Sequence, residues 1–208
     1  MDNATLKELY SHVNTVLSDY LKSSRLDENE LTLYVHIDTL ERVITFLRDD
    51  TACRFEMLVD ICGVDFPERD PRFEIVYHLL SITNNFRIRL KVLVEDGGAV
   101  PSITKIYSTA SWFEREVWDL FGVYFSNHPD LRRLLTDYGF QGHPLRKDFP
   151  LTGYVELRYD DEQKRVVYEP VKLTQEYRKF DFESPWEGPE YMLPGDEKAD
   201  DSDGEEKE

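Results

Sequence analysis

The sequence is poor in the features on which membrane-spanning and many metal-binding proteins depend. It has two cysteines among 208 residues, Cys53 and Cys62. No apolar run approaches the ~18 residues that a membrane-spanning helix needs. Acidic residues outnumber basic residues by 42 to 25, and the formal net charge is −17. Nucleic acids and anionic membranes are themselves negatively charged, so the composition argues against a general binder of either.

The two cysteines lie nine positions apart in apolar surroundings. Iron–sulfur clusters usually need four thiolates, and the sequence has neither a C-x-x-C motif nor a Cys/His cluster. We therefore predict two reduced, buried thiols rather than a redox or metal pair. The first residues show neither a secretory nor an Arg-rich transit pattern, so we expect the chain to work where it is made or to be a processed form.

Hydrophobic periodicity predicts a succession of helices and strands before residue 100. Apolar residues recur at helical spacing from Leu6 to Leu21, and Glu30–Ile37 alternates as a strand does. A capping box at Asp38–Glu41, in which a side-chain acceptor is followed three residues later by Glu, predicts the start of a second helix that runs through Leu47. Residues 55–64 are mostly apolar and predict a buried strand.

The clearest local pattern is a hairpin. Residues 72–82 and 86–94 are strand-like runs joined at Thr83-Asn84-Asn85, and the second run alternates between apolar and mostly charged residues. The predicted order of elements is helix, strand, helix, three strands and a further helix. This order predicts an α+β fold, a two-layer domain with helices packed on a mixed β-sheet.

The sequence predicts four consecutive parts. Residues 1–110 form the α+β domain, and residues 111–154 form an interface segment that completes it. Residues 155–194 combine acidic residues with scattered aromatics and prolines, which favours a long extended C-terminal arm that binds a partner. Residues 195–208 contain eight acids and two lysines, and we expect an acidic, disordered tail.

Charged residues are concentrated around one short predicted helix. Ser111-Trp112-Phe113-Glu114 reads as a second capping box, and Gly122 follows the helix as a C-terminal stop. The candidate site residues on and after this helix are Glu114, Arg115, Glu116, Asp119, His128, Asp130, Arg132, Arg133, Arg146, Lys147 and Asp148. Arg115 and Asp119 are four positions apart and share a face.

Spacing argues against the usual catalytic and metal sites in this stretch. Glu114 and Glu116 are two apart on a helix and cannot face each other. His128 and His143 lie fifteen apart with no further ligand-like spacing, so a zinc site is weakly supported. No nucleophile elbow, phosphate-binding glycine loop or dinucleotide fingerprint is present. Two interpretations remain open, a solvated charged loop and a fixed network of ion pairs at an interface.

The sequence of this stretch resembles the 30-kDa (C) subunit family of respiratory complex I, the proton-pumping NADH:quinone oxidoreductase. The similarity is carried by Glu114-Arg115-Glu116, Asp119-Leu120-Phe121-Gly122, the run His128–Leu135, Asp137-Tyr138-Gly139-Phe140 and the run His143–Pro150. Residues 169–171, 178–180 and 184–187 resemble the tail of the mitochondrial and α-proteobacterial branch.

The resemblance implies a non-catalytic subunit of the peripheral arm. It would pack against the large quinone-site subunit, whose fold is hydrogenase-like, and against neighbouring iron–sulfur subunits. It implies no cofactor or metal on this chain, with FMN and iron–sulfur clusters in the partners, and no nucleic-acid partner or transmembrane segment. The implied location is the cytoplasmic side of the bacterial inner membrane, or the matrix side in a mitochondrion. The candidate residues become interface and scaffold positions.

Three alternatives compete with this interpretation. One is the equivalent subunit of a related membrane-bound hydrogenase or formate hydrogenlyase. Another is a freestanding soluble enzyme that uses Glu116, Asp119 and His128. The third is an acidic, chaperone-like binding protein.

Overall fold

The computed structural model of the protein describes residues 3–27 and 30–175. This part of the chain forms three α-helices and nine β-strands. In chain order they are α1 (Asn3–Leu17), β1 (Leu21–Asp27), β2 (Glu30–Val35), α2 (Leu40–Asp49), β3 (Met57–Asp65), β4 (Phe73–Ser81), β5 (Phe86–Val94), β6 (Ala99–Pro101), α3 (Ala110–Phe121), β7 (Tyr124–Ser126), β8 (Val155–Asp160) and β9 (Arg165–Pro170).

Five of the strands form a mixed sheet in the order β1-β2-β5-β4-β3. Strands β2 and β5 run parallel, and the other neighbours run antiparallel. Alternate residues of the strands point to one face, where all three helices contribute to a single apolar core. The predicted α+β class, with helices packed on a mixed sheet, is confirmed.

Most predicted elements lie where the hydrophobic pattern indicates. The β4–β5 hairpin pairs antiparallel over nine residue pairs, and Asn85 in its turn has a φ of 54°. Helix α1 buries Leu6, Leu9, Val13 and Leu17, but it ends at Leu17 rather than Leu21. Leu21 begins strand β1, which the periodicity did not predict, because none of its residues is fully buried and its sequence is mostly polar.

The predicted capping box at Asp38–Glu41 is wrong. A 3-10 turn spans Ile37–Thr39, and the helix begins at Leu40 with Thr39 as its N-cap residue. The Thr39 hydroxyl donates to the backbone oxygens of Tyr20, just before β1, and His36, just after β2. Its side chain therefore connects the 3-10 turn to these residues and does not cap α2.

The chain divides into two compact units between Tyr154 and Val155. In the second unit, β8 and β9 form an antiparallel hairpin whose residues are mostly exposed. The rest of the predicted arm, residues 176–194, and the predicted tail, residues 195–208, lie outside the described residues. Within the described ranges, none of the helices combines the length and hydropathy that a bilayer crossing requires.

Candidate functional site

Helix α3 buries three charged side chains, those of Glu114, Arg115 and Asp119. The predicted capping box at Ser111 is wrong, because the helix begins at Ala110 with Thr109 as its N-cap residue. The Glu114 carboxylate instead accepts the backbone N–H of Ile103 at 2.7 Å, outside the helix. The acid at this position thus connects α3 to the segment that precedes it.

The Asp119 carboxylate holds a turn at residues 133–136. Its Oδ2 accepts the backbone N–H groups of Leu134, Leu135 and Thr136 at 3.0, 2.8 and 2.9 Å. Its Oδ1 accepts the Thr136 hydroxyl at 2.6 Å and the Arg133 guanidinium at 2.9 Å. Five donors therefore converge on one fully buried carboxylate.

These donors decide the charge state of Asp119. Burial alone would raise the pKa of this carboxyl, but the hydrogen bonds from Thr136, Leu135 and Leu134 lower it further, and the net result lies well below the usual range. Asp119 is thus a permanent anion whose lone pairs are already occupied. It has no free acceptor with which to act as a general base.

Arg115 contacts the same turn from one helical turn earlier. Its Nε donates to the backbone oxygen of Arg132 at 3.0 Å, and its Nη2 donates to that of Arg133 at 3.1 Å. The cation therefore binds carbonyl groups, and the anion of Asp119 binds the N–H groups that follow them. Arg115 and Asp119 share a helix face, as their spacing predicted, and both side chains therefore contact the backbone of residues 132–136.

The C-terminal end of α3 is closed by residues 143–146. A helix leaves its last four carbonyl groups without intrahelical partners. Here His143 Nδ1 donates to the backbone oxygen of Asp119 at 2.9 Å. The Leu145 N–H donates to the backbone oxygen of Leu120 at 3.1 Å. Arg146 Nε donates to the backbone oxygen of Phe121 at 2.6 Å. The positive charge of Arg146 also complements the negative end of the helix dipole.

Gly122 makes this closure possible. It has a φ of 77° and donates its N–H to the oxygen of Trp118 at 2.8 Å, as a left-handed C-terminal cap does. A Cβ at this position would lie 2.6 Å from the His143 ring and 2.7 Å from Arg146 Nη2. The predicted helix stop is confirmed, and the absence of a side chain also makes room for the incoming segment.

A cluster of ion pairs attaches the end of this segment to the sheet. Arg72 binds Asp65 with two contacts of 2.7 and 2.8 Å and reaches Asp148 at 3.1 Å. Arg146 pairs with Asp96 at 3.1 Å. The backbone N–H of residue 147 donates to Asp65 Oδ2 at 2.7 Å. Hydrogen bonds from Arg72 and from that N–H hold the pKa of Asp65 below its ordinary value, despite burial.

His128 lies at the other end of α3, with its side chain buried. Its Nδ1 accepts the N–H of Asp130 at 3.0 Å, so the neutral ring carries its proton on Nε2, which donates to the backbone oxygen of Ser111 at 3.1 Å. His143 binds the carbonyl of Asp119, which is eight residues and about 12 Å further along the helix. The two histidines therefore cannot share a zinc ion.

A buried acid faces His128. Burial raises the pKa of Glu114 to about 7, although the Ser102 hydroxyl and the Ile103 N–H lower it. Its Oε2 lies 3.9 Å from His128 Nε2. Among the described residues, Glu114 Oε2 and Tyr77 Oη are buried polar atoms without a hydrogen-bond partner. Glu114 is thus about half protonated near pH 7.

The remaining candidates lie toward the solvent. Asp130 and Arg132 are exposed and pair with each other at 2.7 Å, and residues 147 and 148 are exposed as well. Glu116 is half-buried and lines a shallow groove of about 180 Å³ with Asp60 and Cys62. The structure therefore brings Arg115 and Asp119 onto residues 132–136, places Glu114 against His128, and leaves Glu116 apart from them.

Sequence reasoning missed Asp65, Arg72 and Asp96, which hold the far end of the segment. They lie 50 or more residues before the residues they bind, and no local spacing links the two sets. A weak signal was available, because Asp65 and Arg72 bracket a loop between two apolar strands.

The two cysteines are free thiols, with Cys53 buried and Cys62 half-buried. Burial, with a smaller contribution from Asp50 and Asp60 respectively, raises the pKa of each thiol to about 12. Neither therefore has the thiolate character of a reactive cysteine. The predicted reduced state is confirmed, and full burial holds for Cys53 alone.

The segment held by α3 exposes several large apolar side chains. Tyr138 is 98% exposed and Leu135 is 60% exposed. Leu145, Leu151 and Tyr154 of the same segment are also exposed, as is Trp112 on α3. Clustered apolar exposure of this kind marks interaction surfaces in soluble proteins. We call residues 128–154 the anchored segment.

Comparison with known proteins identifies relatives over nearly the whole chain. The family model described as "Respiratory-chain NADH dehydrogenase, 30 Kd subunit" matches residues 33–155. An NADH-quinone oxidoreductase subunit from Xanthobacter autotrophicus is 60% identical over 195 residues, which are 94% of this chain and 93% of that protein. The equivalent subunit from Paramagnetospirillum magneticum is also 60% identical, over 93% of this chain and 98% of its own length.

A solved structure shares the fold. A chain of the archaeal membrane-bound sulfane sulfur reductase complex superposes with a TM-score of 0.62 at 24% sequence identity, over 77% of this chain and 98% of that one. At this identity the likeness concerns the fold alone. The family match and the relatives near 60% identity carry the assignment: the chain belongs to the 30-kDa subunit family of the respiratory-chain NADH dehydrogenase.

Proposed function

We propose that this chain is a non-catalytic bracing subunit in the peripheral arm of a proton-pumping NADH:quinone oxidoreductase. The complex transfers electrons from NADH through FMN and iron–sulfur clusters to quinone and couples this to proton translocation. Family membership and relatives named as NADH-quinone oxidoreductase subunits support this assignment. The catalytic centres would belong to the partner subunits.

The observation that carries the bracing role is the anchored segment itself. It contains no helix or strand from residue 128 to residue 154, yet Arg115 and Asp119 of α3 bind its backbone, and its own Arg146 binds the end of α3. Its outer side presents Leu135 and Tyr138 to the solvent. A loop that is fixed before binding loses little conformational entropy when a partner covers it. This arrangement suits a rigid docking surface.

The finer assignments follow from the family resemblance. The anchored segment would contact the large, hydrogenase-like quinone-site subunit, and neighbouring iron–sulfur subunits would lie close by. FMN and the clusters would be bound by those partners. The chain would lie on the cytoplasmic side of the bacterial inner membrane, attached through the complex.

A hydrogenase-type complex is the competing assignment. The similarity of fold to a chain of an archaeal respiratory membrane complex fits a type of subunit that several such complexes share. Relatives named for the NADH-quinone oxidoreductase, at about 60% identity over nearly their full length, favour the NADH-linked complex. Purification of the native complex separates the two, because NADH-dependent quinone reduction supports the first and hydrogen evolution supports the second.

A double substitution tests the docking surface. We expect Leu135→Ser with Tyr138→Ser to leave the free energy of unfolding of the isolated chain within about 0.5 kcal/mol of wild type, because both side chains are exposed. Assembly of the complex should fall severely, since central apolar anchors dominate interface energies. Native gels stained for NADH dehydrogenase activity measure assembly, and urea denaturation measures stability.

The matched control is Ile82→Ser. Ile82 is 65% exposed, close to the value for Leu135, but it lies in the β4–β5 turn. The control should assemble normally. Normal assembly of the double variant, or an equal defect in the control, would contradict the proposed surface.

A further inference from the structure

Three side chains outside the anchored segment form a separate cluster of metal-ligand type. His12 comes from α1, Asp50 directly follows α2, and Cys53 lies in the turn after it. One ligand atom from each residue lies within 4.8 Å of the other two, and His12 Nε2 is 3.1 Å from Asp50 Oδ1. None of the three takes part in the contacts that hold the anchored segment.

The donor set is one imidazole nitrogen, one carboxylate oxygen and one sulfur. Zinc takes all three donor types at about 2.0–2.3 Å, so two ligand atoms on a tetrahedral ion lie about 3.5 Å apart. In the observed triangle the His12–Asp50 edge is 3.1 Å and no edge is longer than 4.8 Å, so small side-chain rotations would bring the three atoms to this spacing. Softer or harder ions fit less well, because thiolate disfavours magnesium and calcium, and carboxylate disfavours copper(I).

The backbone fixes two of the three ligands before any ion binds. Asp50 Oδ1 accepts the N–H groups of Ala52 and Cys53 at 3.0 and 3.2 Å, and the Asp50 backbone oxygen accepts that of Arg54 at 2.9 Å. Hydrogen bonds of this type orient ligating carboxylates in metal sites. Cys53 is fully buried, so its sulfur has little freedom to move away.

The side of the cluster formed by His12 is open to solvent. The side chain of His12 is 37% exposed, and that of Asp50 is 20% exposed. A solvent molecule could therefore complete a four-coordinate ion, the arrangement of zinc sites with three protein ligands. Sequence spacing did not reveal the cluster, because His12 lies 38 residues before Asp50.

We propose that His12, Asp50 and Cys53 bind a zinc-class divalent cation, which clamps α1 to the turn that follows α2. On binding, the ion forms bonds to the Cys53 sulfur, to Asp50 and to His12 Nε2. The thiol proton passes to solvent, and the proton that His12 Nε2 donates to Asp50 in the metal-free chain moves through solvent to Nδ1. The His12–Asp50 contact holds the same elements together in the metal-free chain, so the ion adds stability to an existing fold. The proposal concerns this chain alone and does not depend on its partners.

The test uses the untagged full-length chain under reducing conditions. After equilibration with zinc and dialysis, we expect about one zinc per chain by mass spectrometry. Zinc at 100 times its Kd should raise Tm by about 5–10 °C. Cobalt in place of zinc should give the near-ultraviolet sulfur-to-cobalt charge-transfer band of thiolate ligation.

Variants decide whether these three residues are the ligands. Cys53→Ser should abolish the charge-transfer band, and His12→Gln should weaken zinc binding by about 100-fold or more, since even outer-shell changes cost 10–100-fold. His12 is partly exposed, so His12→Gln keeps the test decisive if Cys53→Ser fails to fold. Cys62→Ser and His36→Ala are the matched controls and should bind as wild type does. Failure of the wild-type chain to retain zinc, or unchanged binding by both ligand variants, would overturn the proposal.

Discussion

The anchored segment and the β8–β9 hairpin reverse the usual relation between regular structure and burial. Residues 128–150 contain no helix or strand, yet their backbone groups bind buried charges of α3. Residues 155–170 form a regular antiparallel hairpin, yet most of their side chains are exposed. In this protein, hydrogen bonds to buried charged side chains therefore hold a segment in place even where the segment has no regular secondary structure.

The difference predicts separate consequences of mutation. Changes beneath the anchored segment should unfold the isolated chain, because a buried donor or acceptor without its partner is costly. Changes on the hairpin should spare the isolated chain, because a two-stranded hairpin is marginally stable on its own and contributes little.

The largest effect is expected for Asp119→Asn. Substitution removes the anion that five donors surround and sets an amide N–H₂ group against backbone N–H groups, so we expect a loss of about 3–5 kcal/mol in the free energy of unfolding. Guanidinium denaturation of the isolated chain measures it. Asp130→Asn, an exposed acid in the same segment, is the control and should stay within about 0.5 kcal/mol of wild type. Similar losses for the two variants would show that burial beneath the anchored segment does not determine the cost of losing an acid.

Glu114 should make stability depend on pH. Its ordinary pKa is 4.5, and burial raises it to about 7 in the folded chain. The folded state therefore binds the proton more tightly, so the contribution is complete below pH 4.5 and is lost as pH rises through 7. The rise of the pKa from 4.5 to about 7 corresponds to a loss on the order of 3 kcal/mol.

Denaturation at several pH values measures this loss as the difference between wild type and Glu114→Gln. The glutamine variant keeps the shape of the neutral acid and lacks its titration, so other groups cancel in the difference. The wild-type chain should lose stability relative to the variant between pH 5 and 8. A difference that is flat over that interval, or that grows in favour of the wild type, would show that burial does not control this acid.

Gly122→Ala should cost about 2 kcal/mol or more. The left-handed φ accounts for about 1 kcal/mol, and the rest comes from the contacts that a Cβ would make with His143 and Arg146. Gly139→Ala is a matched control, because Gly139 has a φ of 76° and nothing within 4 Å of its Cβ position. The extra loss at Gly122, measured by urea denaturation, reports the closure of α3 by the segment. Equal losses at the two glycines would argue that the closure carries no energy.

The smallest effect on the isolated chain is expected for Leu157→Ser with Val166→Ser. Both side chains are more than half exposed on the hairpin. Thermal unfolding should shift by no more than about 2 °C. A larger shift would mean that these exposed side chains contribute to the stability of the chain.

Periodicity in the sequence was sufficient to predict four of the five strands of the main sheet and the three helices, because each of these elements shows its buried face as a repeat. It failed where side chains bind distant backbone. Glu114 has the spacing of a capping residue but is drawn into the core by the Ile103 N–H. Strand β1 pairs through its backbone with β2, and its side chains give little alternation to detect.

The candidate site was predicted in part. The family signature located the residues, and the shared face of Arg115 and Asp119 followed from their spacing. Their partners did not follow, since Asp119 binds backbone N–H groups 15 to 17 residues away and Arg146 depends on Asp96, 50 residues earlier. The sequence also did not show that Arg132 is exposed, whereas Arg146 binds the end of α3.

The closure of α3 by residues 143–146 has a consequence for synthesis. Ribosomes add about 5–20 residues per second, so the end of the helix waits about 1–5 seconds for the groups that complete it. During that interval the carbonyls of residues 119–121 lack the donors that bind them in the folded chain. The sheet and the first two helices are made before this point. We therefore expect the proposed docking surface to take shape after the core beneath it.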